Sequence, residues 1–233
     1  GAGHALVARE GDDGLLLAAA DAANRLHLPQ YSKTESLLGD ATLEAAGEYT
    51  FTPPLQADLL MVDPGQHWMY VMDRKAGRIA FYRLHGIEAP ELIQTREAGA
   101  AISAATWLAG GISIVVAHAD GVVSQWFPTR DADGNWMLSQ VRSFTVPGAE
   151  TITSIGAELR RRTFAVGDAK GKVSVFYATS GRDIHDEQML PGAVDQLVFN
   201  PRAKYLMALG QDGRLPGTAV PHEHKAMSFS ALW

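Results

Sequence analysis

The chain has 233 residues, of which 46% are hydrophobic and 20% charged, ordinary values for a folded domain with a sizeable core. Its formal charge is -6, with acidic and basic residues interspersed, which argues against a nucleic-acid surface because that needs a concentrated positive face. The absence of cysteine removes disulfides, zinc–thiolate sites and thiol catalysis together, and leaves both cytosol and periplasm open.

Residues 5–9 and 15–20 read as two apolar strands, and the string "DAANRLHL" at 21–28 as a turn on Asn24 that runs into a third. A weaker, more polar strand follows at 43–51. The same order then returns. Strands at 58–62 and 68–72 lead into "DRKAGRIAF" at 73–81, with a weaker strand at 91–96. Strands at 102–107 and 112–117 lead into "DGVVSQW" at 120–126, then 136–144. Strands at 152–157 and 164–167 lead into "DAKGKVSVF" at 168–176, with a weaker strand at 186–190. The last unit offers 194–199, 205–210 and "DGRL" at 212–215.

Asn24, Gly77, Gly121, Gly171 and Gly213 hold the same place in these five copies, at steps of 53, 44, 50 and 42 residues. A glycine or asparagine recurring at one place in a tight hairpin reads as a residue required at positive φ. In the strand that follows, Val173, Val175 and Tyr177 share one face and Ser174 and Phe176 the other. The pairs Phe81-Tyr82, Trp126-Phe127 and Phe176-Tyr177 close three successive copies, so both faces of each sheet are expected to be covered. A four-stranded sheet cannot bury both faces alone. Units of about 40–50 residues are therefore expected to pack face to face about an axis. The expected fold is all-β, a WD-repeat-like β-propeller of about five four-stranded blades over 1–220, incomplete or part of a larger ring, followed by a connector at 221–233.

Chemistry-bearing residues are few. Gly110-Gly111 lacks the lysine and hydroxyl of a phosphate loop and reads as a turn; no Gly-x-Ser-x-Gly elbow occurs. His222, Glu223 and His224 in "PHEH" place two histidines on one face of a strand, a conceivable metal pair without an identifiable third ligand beside Pro221. His118 reads as a structural histidine bonded to backbone. Asp73, Asp120, Asp168 and Asp212 recur at the turn edges, where Asx capping explains them more simply than calcium. "DADGN" at 131–135 comes nearest to a calcium loop but lacks the downstream bidentate glutamate. Arg160 to Arg162, the one basic run, reads as a solvated hairpin tip. No catalytic, cofactor or metal residue is assigned, and no cofactor is expected. No run reaches the ~18 apolar residues of a membrane helix and the start does not look like a signal peptide, so this stretch is expected to be soluble.

The tail "PHEHKAMSFSALW" at 221–233 does not read as a blade. Its His-x-His start, small hydroxyl residues and terminal Ser-Ala-Leu-Trp resemble the segment that leads from a large extracytoplasmic domain back to the membrane in long-form phosphate ABC transporter permeases, which carry a WD-repeat-like insertion. The preceding turn–strand units fit that insertion loosely. The resemblance implies a non-catalytic periplasmic domain of an inner-membrane phosphate importer, whose full-length protein is membrane-embedded. The implied partners are other importer subunits and the periplasmic phosphate-binding protein. The chain has neither the membrane helices nor the coupling loop of a permease, so no translocation residue carries over, and neither Asp73 nor Arg162 is assigned to phosphate. Two other readings stay open: a propeller enzyme or small-ligand receptor using a central channel, and a cytosolic WD-type adaptor.

Overall fold

A computed structural model describes residues 5–11, 14–35, 41–149, 151–200 and 205–220. The connector expected at 221–233, with His222, Glu223 and His224, lies outside the described residues. The described chain is all strand and turn, in five antiparallel sheets that follow one another along the sequence. The first holds β1 (Leu6–Gly11), β2 (Gly14–Ala20), β3 (Leu26–Glu35) and β4 (Ala41–Phe51), in that spatial order. The second holds β5 (Leu59–Val62), β6 (Trp68–Asp73), β7 (Arg78–Arg83) and β8 (Glu91–Glu97). The third is formed by β9 (Ile102–Trp107), β10 (Ile114–His118), β11 (Val122–Arg130) and β12 (Trp136–Thr145). The fourth is formed by β13 (Ile152–Ala157), β14 (Thr163–Asp168), β15 (Lys172–Tyr177) and β16 (Arg182–Gln188). The fifth shows three strands among the described residues, β17 (Val194–Phe199), β18 (Tyr205–Gly210) and β19 (Gly217–Ala219).

Positive φ occurs at all five turn residues: 60° at Asn24, 65° at Gly77, 81° at Gly121, 89° at Gly171 and 81° at Gly213. The turn backbone does a second job. The carbonyl of Gly77 accepts the N–H of Ala98, that of Gly121 the N–H of Val146, and that of Gly171 the N–H groups of Met189 and Leu190, at 2.7–3.1 Å. Each donor lies just beyond the outer strand of the same sheet, so the central turn fastens the segment leaving that sheet. In the first sheet a side chain does this work: Asn24 Nδ2 donates to Leu55 O at 3.0 Å, and Ala57 N–H donates to Asn24 Oδ1 at 2.9 Å.

The unequal steps have a simple source. The two long ones, 53 and 50 residues, contain the long outer hairpins β3–β4 and β11–β12, whose strands run to 10, 11, 9 and 10 residues against 6 or 7 in β7, β8, β15 and β16. Two expected strands shift. The strand expected at 186–190 runs from Arg182 to Gln188, because Met189 and Leu190 belong to the fastened exit segment. The strand expected directly at "DGRL" begins only at Gly217, after Pro216, which has no N–H to give a ladder.

By contacts the chain divides into two compact units, Gly1–Gly99 with Arg130–Leu138, and Ala100–Thr129 with Ser139–Trp233. In the first, Leu16, Ala18, Leu26 and Leu28 pack against Leu60, Val62, Met69 and Val71 from the second sheet. In the second, the fourth sheet is covered on both faces. Phe164, Val166 and Phe176 meet Leu108, Val115 and Phe144, whereas Ala165, Val173 and Val175 meet Val194, Leu197 and Leu206. That is the alternation expected from the sequence of β15. Phe144 stands edge-on to Phe164 (4.9 Å between centroids, 80°), and Phe164 stacks on Phe176 at 5.5 Å. Such pairs contribute about 0.5–1.5 kcal/mol each beyond the apolar area they bury. Bulges place one extra residue, Ser103, Thr153 and Asp195, on β9, β13 and β17. The hydroxyls of the first two bond back to Ala117 O and Gly167 O, and that of Thr153 also reaches Val194 O at 2.6 Å.

Candidate binding surface

The turn aspartates are committed to backbone. Asp168 Oδ1 accepts the N–H groups of Lys170 and Lys172, both at 2.9 Å; Asp73, Asp120 and Asp212 accept from Ala76, Val122 and Arg214. They do not occupy one site, however. The residue whose carbonyl takes the turn N–H stands three before the left-handed residue: Asp21, His118, Asp168 and Gly210. Asp120 and Asp212 stand one before it and cap from inside the turn. Asp73 stands four before Gly77, so the sequence motif hides three capping positions.

His118 fills the aspartate position of the third sheet, and the structure adds to its expected backbone bond. Its Nδ1 lies 3.0 Å from Ala100 O and its Nε2 2.7 Å from Ser124 Oγ, which also accepts the indole N–H of Trp126 at 2.7 Å. All three side chains are buried. With hydrogen on Nδ1, each donor meets an acceptor along the line Trp126, Ser124, His118, Ala100. Both ring nitrogens are therefore occupied structurally. The signal was present as His, Ser and Trp at three before, three after and five after Gly121.

Asp131 in "DADGN" caps its own hairpin, accepting from Asp133 N–H at 2.9 Å and Asn135 N–H at 2.8 Å. The Asn135 N–H foremost holds this carboxyl below the usual range. Among the described residues no group of three or more His, Asp or Glu is placed to hold a metal ion. Gly110 and Gly111, both at positive φ, form the turn between β9 and β10. Arg160 to Arg162 lie between β13 and β14 as expected of a hairpin tip, with Arg161 Nε 2.7 Å from Glu158 Oε1.

An electrostatic cluster surrounds His27 on β3. Its Nε2 is 3.2 Å from Asp21 Oδ2 and its Nδ1 3.2 Å from Glu48 Oε1. The bond to Asp21, then that to Glu48, raises the His27 pKa above the ordinary histidine value. A raised folded-state pKa gives stability that is fully present below the unfolded pKa of about 6.5 and is lost as pH rises through the folded value. The stability difference between the parent and His27→Gln is accordingly expected to shrink as pH is raised from about 6 to about 8. Urea unfolding at the two pH values checks this, and an unchanged or growing difference contradicts it.

An open cleft of about 400 Å³ is lined by Arg83 at the end of β7, Glu91 to Ile93 on β8, and Arg130 and Gly134 to Trp136 at the tip of the β11–β12 hairpin. All of it belongs to the first unit. Arg130 stacks its guanidinium 4.0 Å from the Trp136 ring centre and donates Nη1–H to Gly134 O at 2.5 Å. Trp136 stands edge-on to Trp68 at 4.8 Å, and Trp68 stacks on Phe81 at 4.9 Å. The hairpin is held further by Leu138 N–H on Gln94 Oε1. Glu91 is engaged by His85 Nε2 at 3.3 Å. Arg83 is exposed and has no ion-pair partner among the described residues. Sequence reading missed this cleft because its residues come from two distant hairpins and match no motif.

No family model matches the chain, and no curated protein matches it in sequence. Solved structures do match. Sqt1 from Chaetomium thermophilum is similar with a TM-score of 0.63 at 16% identity, over 88% of this chain and 53% of that one. The same protein bound to the N-terminus of the ribosomal protein L10 gives 0.64 at 15% identity, over 88% and 56%. The Cps50 (Swd1) β-propeller domain of Myceliophteria thermophila gives 0.61 at 13%, over 96% and 70%. The chain spans about half the length of the Sqt1 structures. At these identities the likeness shows the fold alone, and that fold is a β-propeller of WD-repeat type.

Proposed function

We propose that this chain is a non-catalytic protein-interaction domain, the extracytoplasmic part of an inner-membrane phosphate ABC importer permease, which contacts other importer subunits or the periplasmic phosphate-binding protein. The observation that carries the interaction reading is the commitment of the described turn histidine and turn aspartates to the fold itself. His118 has both nitrogens bonded, and the carboxyls of Asp73, Asp120, Asp168 and Asp212 are taken by turn amides. Strands joined by hairpins hold the connecting loops at defined positions, a frame suited to presenting a surface to a partner. Sqt1, of similar fold, has been solved with the N-terminus of a ribosomal protein bound, which supports a propeller of this type taking a protein segment. The importer setting rests on the likeness of the segment at 221–233.

The cysteine-free sequence makes the membrane setting testable. Leu159, 77% exposed, is replaced by cysteine in the full-length protein, and intact cells with a permeabilised outer membrane are treated with a maleimide that cannot cross the inner membrane. Labelling above the parent's background is expected before lysis. Labelling only after lysis would place the domain in the cytoplasm and overturn the importer reading.

A further inference from the structure

We propose that the cleft between β8 and the β11–β12 hairpin tip docks an extended acidic segment of a partner protein, carboxylates toward Arg83 and Arg130 and apolar side chains toward Leu92 and Trp136. The inference rests on the reading of the domain as an interaction module, not on its membrane setting. Charge complementarity selects the occupant. The chain carries a net charge of -6, so an acidic segment is disfavoured by the molecule as a whole and is admitted where cations gather. Two guanidinium groups line this cleft, one of them without an ion-pair partner among the described residues, and the one carboxylate facing them, Glu91, is already engaged by His85.

The apolar component is equally specific. Leu92 is 45% exposed, and the adjacent Ile93 is the extra residue of a bulge, between the pairs Tyr82–Leu92 and Phe81–Gln94. Bulges re-aim side chains and interrupt pairing at sheet edges, and β8 is the edge of its sheet. Trp136 is braced by Trp68 and covered by Arg130, a rigid aromatic anchor beside a planar cation. Aromatic and arginine side chains of this kind dominate the energetics of protein interfaces. Arg130 spends one N–H on Gly134 O and retains others for a carboxylate.

The probe is a fluorescein-labelled peptide alternating glutamate and leucine, with a lysine–leucine peptide as its charge-reversed counterpart, followed by anisotropy. Saturable binding of the acidic peptide is expected, weakening as salt is raised. Arg83→Glu should weaken it at least about tenfold with the unfolding midpoint unchanged, since Arg83 holds no ion pair in the fold. Arg130→Lys, which keeps the charge and loses the planar stack, should weaken it less. The proposal is overturned if the acidic peptide fails to saturate, if the lysine peptide binds as well, or if Arg83→Glu binds like the parent. It is also overturned if free phosphate at comparable concentration displaces the peptide, which would make the cleft a small-anion site. None of these outcomes changes where Leu159→Cys is labelled, so the membrane setting stands or falls separately.

Discussion

Gly171→Ala is expected to lower stability by about 3 kcal/mol, while Gly213→Ala, at a turn of nearly the same φ, lowers it by about 1–2 kcal/mol. The two share one cost and differ in another. At φ values of 89° and 81° an alanine pays left-handed strain at either site. A Cβ at Gly213 meets nothing within 4 Å, whereas one at Gly171 would sit 2.1 Å from Leu190 O and 2.6 Å from Gly192 O. Those atoms are backbone and cannot swing aside. The exit segment must move, and with it go the bonds from Met189 and Leu190 to the Gly171 carbonyl, each worth about 1 kcal/mol. For a chain of this size the difference corresponds to several degrees in midpoint, at about 2–4 °C per kcal/mol. Thermal and urea unfolding of both variants decide it; equal losses would mean that the turn matters only through its own φ.

Ser124→Ala should destabilise and Ser174→Ala should not, although the serines stand three residues after Gly121 and Gly171 respectively. Both are 1% exposed. Ser124 joins two buried groups, and its removal strands the ring nitrogen of His118 and the indole N–H of Trp126. Leaving a buried polar group unsatisfied costs about 1–3 kcal/mol, so a loss of about 2–5 kcal/mol is expected. The Ser174 hydroxyl has no hydrogen-bond partner among the described residues. Where the third sheet has His118 and Trp126, the fourth has Asp168, whose carboxyl is spent on turn amides, and Phe176, whose side chain has no N–H. Replacing Ser174 removes an unpaired buried hydroxyl and should be neutral or stabilising by up to about 1 kcal/mol. Urea titrations with unchanged slopes would establish the contrast. A loss at Ser174 matching that at Ser124 would show that packing, not hydrogen bonding, sets the value of this position.

Most of the strand order could be read from the chain because two local rules coincide in it. A left-handed corner admits few residues, and a two-residue period sorts the side chains of each following strand onto two faces. Asn24, Gly77, Gly121, Gly171 and Gly213 obey the first, and β15 shows the second clearly. Where an apolar pair served something other than a strand, as with Met189 and Leu190, the reading slipped. The turn aspartates are not equivalent, since a carboxylate can cap such a turn from four residues back, as Asp73 does, from three, as Asp168 does, or from one, as Asp120 and Asp212 do. His118 was recognised as structural from its place at the turn, but its link to Ser124 and Trp126 needed the register of β10 against β11, which pairs Val116 with Ser124. The arginine–tryptophan cleft was illegible for a different reason. Arg83 and Arg130 are 47 positions apart, and only the long third outer hairpin, reaching the second sheet through Leu138 and Gln94, brings them together.

Because the exit segments of the first four sheets are each tied to a corner of their own sheet, the ties are indifferent to what comes next along the chain. Duplicating or deleting a whole unit would cut none of them, and lengthening an outer hairpin, as at β3–β4 and β11–β12, leaves them equally untouched. Such a chain can vary its repeat number and its projecting arms independently, which gives evolution two separate dials for acquiring new partners on one framework.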